Sequence, residues 1–143
     1  MKTSKGLELE KDIVTSIAEL VPSKWTMLVL NFEVIEGSTG SPITDRICFW
    51  VNESGKEFHN GNLSLTPEIV DKVLSLRQEV SLAGESWSVC DLTVLSSGVY
   101  DFQFRYETPK RLNGEFDFDS LFRYDSHKDE YLRRIDIVKS ASS

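Results

Sequence analysis

The sequence predicts an α+β domain: a mostly antiparallel sheet of about 4–6 strands with helices packed on one face, in the order α-β-β-(β)-α-β-β-α. Three observations lead there. Two segments repeat apolar residues at helical spacing, while several others alternate with a period of two. The strand-like segments come in groups joined by short turns and do not alternate singly with helices. No repeat or low-complexity linker divides the 143 residues, which suffice for one domain with its own core. Residues 1–6 and 139–143 are expected to fray.

The first helix is expected from Leu7 to Val21, with Leu9, Ile13, Ile17 and Leu20 on one face and Pro22 as its stop. Glu8, Glu10 and Asp12 then fall in its first turns, where the helix dipole favours negative charge. A strand follows over Trp25–Ile35, in which Leu28, Leu30, Phe32 and Val34 face inward and Asn31 and Glu33 belong to a more polar face. The Glu36–Pro42 turn leads to Ile43–Asn52, whose unbroken apolar centre Ile47–Val51 suggests a central strand covered on both faces. Lys56–His59 is a short third strand, and Asn60-Gly61-Asn62 has turn composition. The second helix carries the clearest local signal. Thr66 is an N-cap, Pro67 fits the first helical position, Ile69, Val73, Leu76 and Val80 form the stripe, and Gly84 is a plausible stop.

Two strands joined at Ser96-Ser97-Gly98 come next. In Ser86–Leu95, Trp87 shares a side with Val89, Asp91 and Thr93; in Val99–Glu107, Tyr100, Phe102, Phe104 and Tyr106 share a core-facing side. The last third is less regular, with a helical segment over Ser126–Val138 striped by Tyr131, Ile135 and Val138.

Sixteen basic residues against 23 acidic ones give a formal charge of −7. That balance disfavours non-specific binding to nucleic acid and to anionic lipid, and favours fast association with a basic protein. The opening residues lack the apolar region of a secretory leader, and no apolar run is long enough to span a bilayer, so a cytoplasmic chain is expected. Cys48 and Cys90 lie in apolar strand-like runs and are expected as buried free thiols.

No catalytic constellation is visible. His59 and His127 are far apart and belong to no nucleophile motif, no cysteine pair has zinc spacing, and the calcium-loop and phosphate-loop patterns are missing. Neither cofactor nor metal is expected, and the chain does not read as an enzyme.

The segment Gly114–Asp125 is the candidate binding site. Four rings and four carboxylates fall in its 12 residues. An edge strand with Phe116, Phe118 and Phe122 turned inward would explain the alternation. The outward Glu115, Asp117 and Asp119 would then form a row suited to a basic partner. From Gly114 to Glu130, six acids face two bases. Phe116, Asp117, Asp119, Tyr124 and Asp125 are the candidate partner contacts, and Glu8, Glu10, Asp12 and Glu19 of the first helix form a second acidic candidate. A different reading makes the domain a small-molecule-binding or enzyme-associated module, with Tyr100, Phe102, Phe104, Tyr106 and Trp50 lining a cavity.

The layout of an acidic first helix, the Trp-containing strand Pro22–Val34, the Trp-bearing strand Glu85–Val94 and the aromatic strand Tyr100–Glu107 resembles the YezG-like immunity proteins. It is also similar to immunity proteins of contact-dependent growth inhibition systems. The closing segment Ser126–Arg134 has neither Pro nor Trp, unlike the Pro-containing, Trp-rich closing helix of the YezG-like family. The resemblance implies an antitoxin without an active site of its own, whose partner is a toxin domain, often a nuclease.

Overall fold

The computed structural model describes residues 3–54, 57–82 and 85–115. The domain is α+β, as expected. Helix α1 (Ser4–Ala18) precedes strands β1 (Met27–Glu36), β2 (Pro42–Ser54) and β3 (Glu57–Asn62). Helix α2 (Pro67–Glu79) precedes the two-residue strands β4 (Ser81–Leu82) and β5 (Glu85–Ser86), then β6 (Val89–Leu95) and β7 (Tyr100–Arg105). A short 3-10 turn, Arg111–Asn113, follows. The main sheet has the order β3-β2-β1-β6-β7 with every pairing antiparallel.

Both helices contribute to one core against the same sheet face. Ile13 and Ile17 of α1 and Ile69, Val73 and Leu76 of α2 share a buried cluster with Leu28, Leu30, Phe32 and Val34 of β1. Cys48 and Trp50 of β2, Cys90, Leu92 and Val94 of β6, and Phe102 of β7 complete that layer. The helices are also tied to each other, since Lys72 Nζ donates to Ser16 Oγ at 3.1 Å and Lys5 pairs with Glu79 at 3.5 Å.

The differences from the sequence expectation have local causes. Helix α1 starts three residues early because Thr3 caps it, accepting from the Gly6 amide at 2.9 Å, so residues 3–6 belong to the helix and its cap and not to a frayed end. It ends at Ala18, where i→i+3 bonds from Leu20 to Ile17 and from Val21 to Ala18 tighten the chain ahead of Pro22. Helix α2 has the expected Thr66 cap and Pro67 start, but stops at Glu79 because the next residues enter the small β4–β5 pairing. β2 is an interior strand as expected, paired with β1 and β3 and buried on both faces at Cys48–Val51, while β1 is the middle strand of the five and buries Asn31 and Glu33 as well. Between β5 and β6 regular strand geometry lapses at Trp87 and Ser88, although Ser88 still donates to Arg105 O at 2.9 Å and accepts from the Val34 amide at 2.9 Å. That interruption shifts the alternation, so Trp87 joins Cys90, Leu92 and Val94 in the helix-facing core. The tip at Ser96-Ser97-Gly98 closes as expected, with Gly98 at φ 98° and its amide bonded to Leu95 O at 2.9 Å.

Asn60-Gly61-Asn62 is strand, not turn, and Gly61 stands opposite Trp50. A Cβ at position 61 would come within 2.6 Å of the Trp50 indole nitrogen, so the glycine lets that ring lie across β3. Replacing Gly61 with Ala is expected to cost about 1–3 kcal/mol in urea unfolding, with a change in native tryptophan emission, because the ring must move. Cys48 and Cys90 are both buried and form no disulfide. Burial pushes Cys48 from its ordinary 9.0 up to about 12. The folded state then holds a proton that the unfolded chain releases, so its contribution to stability is complete below pH 9.0 and falls as pH rises toward about 12. A Cys48→Ala variant, measured between those limits, is expected to show a shallower loss of stability with pH.

Candidate functional site

The sheet face turned away from the helices is divided in two. At one end Met27, Val29, Phe49 and Val51 form an apolar cluster with Ile47 and Leu95 beside it. At the other end the same strands carry Asn31, Glu33, Asp45 and Asp91, and β7 adds Arg105. The antiparallel register explains the juxtaposition. Glu33 lies directly opposite Asp45, and Asn31 directly opposite Asp91. Val89 stands between Glu33 and Arg105 in the next row. Two carboxylates facing each other across a strand pair repel, so the pairing needs a cation.

Arg111 supplies it. Its Nε donates to Asp45 Oδ2 at 2.5 Å, and its Nη1 donates to Asn31 Oδ1 at 2.6 Å and lies 3.4 Å from Glu33 Oε2. Glu33 in turn accepts the backbone amides of Arg111 at 3.3 Å and Leu112 at 3.0 Å, so the same carboxylate holds both the side chain and the turn. Asn31 passes the polarity onward. Its Nδ2 donates to Asp91 Oδ1 at 2.5 Å, Asp91 Oδ2 pairs with Arg105 at 2.8 Å, and Arg105 pairs with Glu107 at 2.8 Å. The result is a ladder, Asp45–Arg111–Asn31–Asp91–Arg105–Glu107, crossing from β2 to beyond β7.

Its middle is dry and its ends are wet. The Arg111 and Glu33 side chains are 3% and 4% exposed, whereas those of Asp45 and Arg105 are 45% and 41% exposed. Coulomb attraction is therefore strongest at the Arg111–Glu33 contact and screened at both ends. Such a chain is built to hold two surfaces together. Its charged groups engage one another.

The proposed contacts Phe116, Asp117, Asp119, Tyr124 and Asp125 lie outside the described residues, as do the segment Ser126–Val138 and His127. What the structure does fix is where their segment begins. Gly114 adopts φ 79°, and the Glu115 amide bonds to Lys110 O at 2.9 Å, directly after the Arg111 turn. The second acidic candidate is corrected. Glu8, Asp12 and Glu19 are exposed on α1, but Glu10 is 1% exposed and faces the core with Ile13 and Ile17. The first turn of α1 contains no acid, because the helix begins at Ser4.

The aromatic strand packs as a row. Ring centroids run Trp87 to Phe104 at 5.6 Å, Phe104 to Phe102 at 6.0 Å, and Phe102 to Tyr100 at 5.8 Å. Tyr106 departs from that row and is exposed. Partial burial and the nearby Glu10 carboxylate raise the Tyr100 hydroxyl above its ordinary range. Trp50 lies over Gly61. These rings fill space against each other and the core.

Asn31, Glu33, Asp91 and Arg111 are the residues that sequence reasoning missed. A signal existed: three polar residues stand in strands otherwise apolar on both sides, and a single Arg follows Thr108-Pro109-Lys110. Period-two alternation assigns the polar positions to solvent, so the partner that buries them was invisible. Among the described residues, no group of three or more His, Cys, Asp or Glu is placed to hold a metal ion. No described helix is long and apolar enough to cross a membrane. No protein-family model matches the chain, and no curated protein matches it.

Removing one partner from a buried ion pair leaves the other charge uncompensated. Arg111→Met is therefore expected to destabilise the fold by about 3–5 kcal/mol in urea unfolding. Asp45→Asn is expected to cost about 1 kcal/mol or less, since its carboxylate is 45% exposed. Equal costs for the two substitutions would contradict the gradient of burial along the ladder.

Proposed function

We propose that the protein acts by binding, as an immunity protein that occludes a basic partner, a toxin domain of the nuclease class, in the cytoplasm. The observation that carries this reading is the acidic and aromatic segment from Gly114, with six acids against two bases through Glu130, in a chain of formal charge −7. Rings anchor the dry centre of an interface, and carboxylates around them steer a cationic surface into register. A nuclease presents such a surface, because its substrate is a polyanion.

The described structure supports the reading in two ways. The charged groups of the second sheet face engage one another in a ladder, with Arg111 and Arg105 bridging Asp45, Glu33, Asp91 and Glu107, which is what a scaffold requires. Glu115, the first acid of that segment, is tethered to a turn fixed by Arg111, so the start of the segment has a defined place on the sheet.

Asp117→Asn combined with Asp119→Asn tests the proposal. Against the product of the neighbouring reading frame, taken as the toxin, the double variant is expected to associate at least about tenfold more slowly at low salt. The difference should shrink as ionic strength rises and screening shortens the reach of the charges. Unchanged association at low salt would move the interface away from this segment.

A further inference from the structure

The chain from Tyr106 to Glu115 crosses the second sheet face as a strap. It leaves the edge strand β7 at Arg105, passes the buried Pro109, and sets Arg111 down on β1 and β2. The described attachments beyond Pro109 are polar: the Arg111 guanidinium on Asp45, Asn31 and Glu33, and the amides of Arg111 and Leu112 on the Glu33 carboxylate. Within the strap, Asn113 Nδ2 donates to Pro109 O at 2.6 Å and the Glu115 amide to Lys110 O at 2.9 Å, so the turn keeps its own shape when lifted.

The floor beneath it joins the buried Val89 to a polar group. Asn31 and Asp91 are bonded to each other at 2.5 Å, and Asp91 is held by Arg105 at 2.8 Å. Lifting the strap exposes groups that water can solvate together with Val89 and Pro109, and leaves the helix-facing core covered. Segments with this kind of attachment open locally at less cost than the sheet itself.

We propose that the strap is an autoinhibitory contact, in which Arg111 occupies from within the chain a seat that fits the guanidinium of a partner's arginine. Opening the strap presents Asp45, Glu33 and the Asn31 side-chain carbonyl together. Their backbone positions are set by the pairing of β1 with β2, and the facing carboxylates left by Arg111 call for another cation. A planar guanidinium with several donors matches this set, whereas an ammonium satisfies fewer of its oxygens at once. The inference rests on the binding reading above and deepens it: the partner's arginine enters as Arg111 leaves.

Hydrogen exchange of the full chain tests the opening without any partner. In Arg111→Gln the amides of Arg111 and Leu112 (the residue at 111 now Gln) are expected to exchange at least about tenfold faster, while amides of α2, β1 and β6 accelerate by no more than the variant's loss of global stability in urea unfolding accounts for. Amides 111 and 112 that open only together with α2, β1 and β6 would overturn the strap as a separate unit. The seat is tested with a hexa-arginine peptide against hexa-lysine at fixed ionic strength. Hexa-arginine is expected to bind Arg111→Gln about tenfold more tightly than the parent protein, and the gain is lost when Asp45→Asn is added. Equal binding to parent and variant, or an equal gain for hexa-lysine, would overturn it. Arg111→Lys keeps the charge and serves if Arg111→Gln does not fold; it should show the faster exchange to a smaller degree, and unchanged exchange would count against the latch. Failure of these tests leaves the effect of the Asp117 and Asp119 substitutions on association untouched, so the two readings fall separately.

Discussion

One guanidinium holds the second face of this sheet together. The register of β1 and β2 places Glu33 opposite Asp45, an arrangement that is repulsive when left alone. Arg111 enters that gap with Nε 2.5 Å from Asp45 and Nη1 2.6 Å from Asn31. The central strand could not carry a buried glutamate at position 33 without it. The turn that follows β7 likewise takes its position from Glu33, which receives two of its amides. Strand register, turn position and the path of the chain toward residue 115 are consequently one problem with one solution.

The two faces of the sheet are stabilised by different physics. Toward the helices, burial is apolar and tolerant in direction: Ile13, Ile17, Ile69, Val73 and Leu76 need only fill the space above Leu28, Leu30 and Phe32. On the far side, half the face is apolar around Val29 and Phe49 and half is ionic around Asn31 and Arg111. Hydrogen-bonded charge is directional, and its energy is lost when geometry slips. The ionic half therefore fixes alignment, while the apolar layer supplies most of the driving force. A binding protein benefits from that division, because a contact segment is only as well placed as the scaffold to which it is joined.

The parts legible in the sequence were those governed by short-range rules. Thr66-Pro67-Glu68 announced α2 because an N-cap, a proline and an acid each act within one helical turn. Ser96-Ser97-Gly98 announced its hairpin because the turn needs a positive φ. The α+β class followed from the grouping of strands. Long-range effects were not legible. Acidic composition groups Glu10 with Glu8, Asp12 and Glu19 as one surface, yet helical rotation turns it to the core with Ile13. Trp87 was placed on the wrong side because alternation assumes an unbroken strand, and the chain breaks at Trp87-Ser88. Asn31 and Glu33 were assigned to a polar face because nothing local reveals that Arg111, about eighty residues on, comes back to cover them.

The central claim is that Arg111 and Glu33 stabilise the fold through each other. A double-mutant cycle with Arg111→Gln and Glu33→Gln, followed by urea unfolding, measures that dependence directly. The account predicts a coupling energy of about 2 kcal/mol or more, with the double variant more stable than the sum of the single losses implies. Strictly additive losses would contradict it, since each side chain would then act alone.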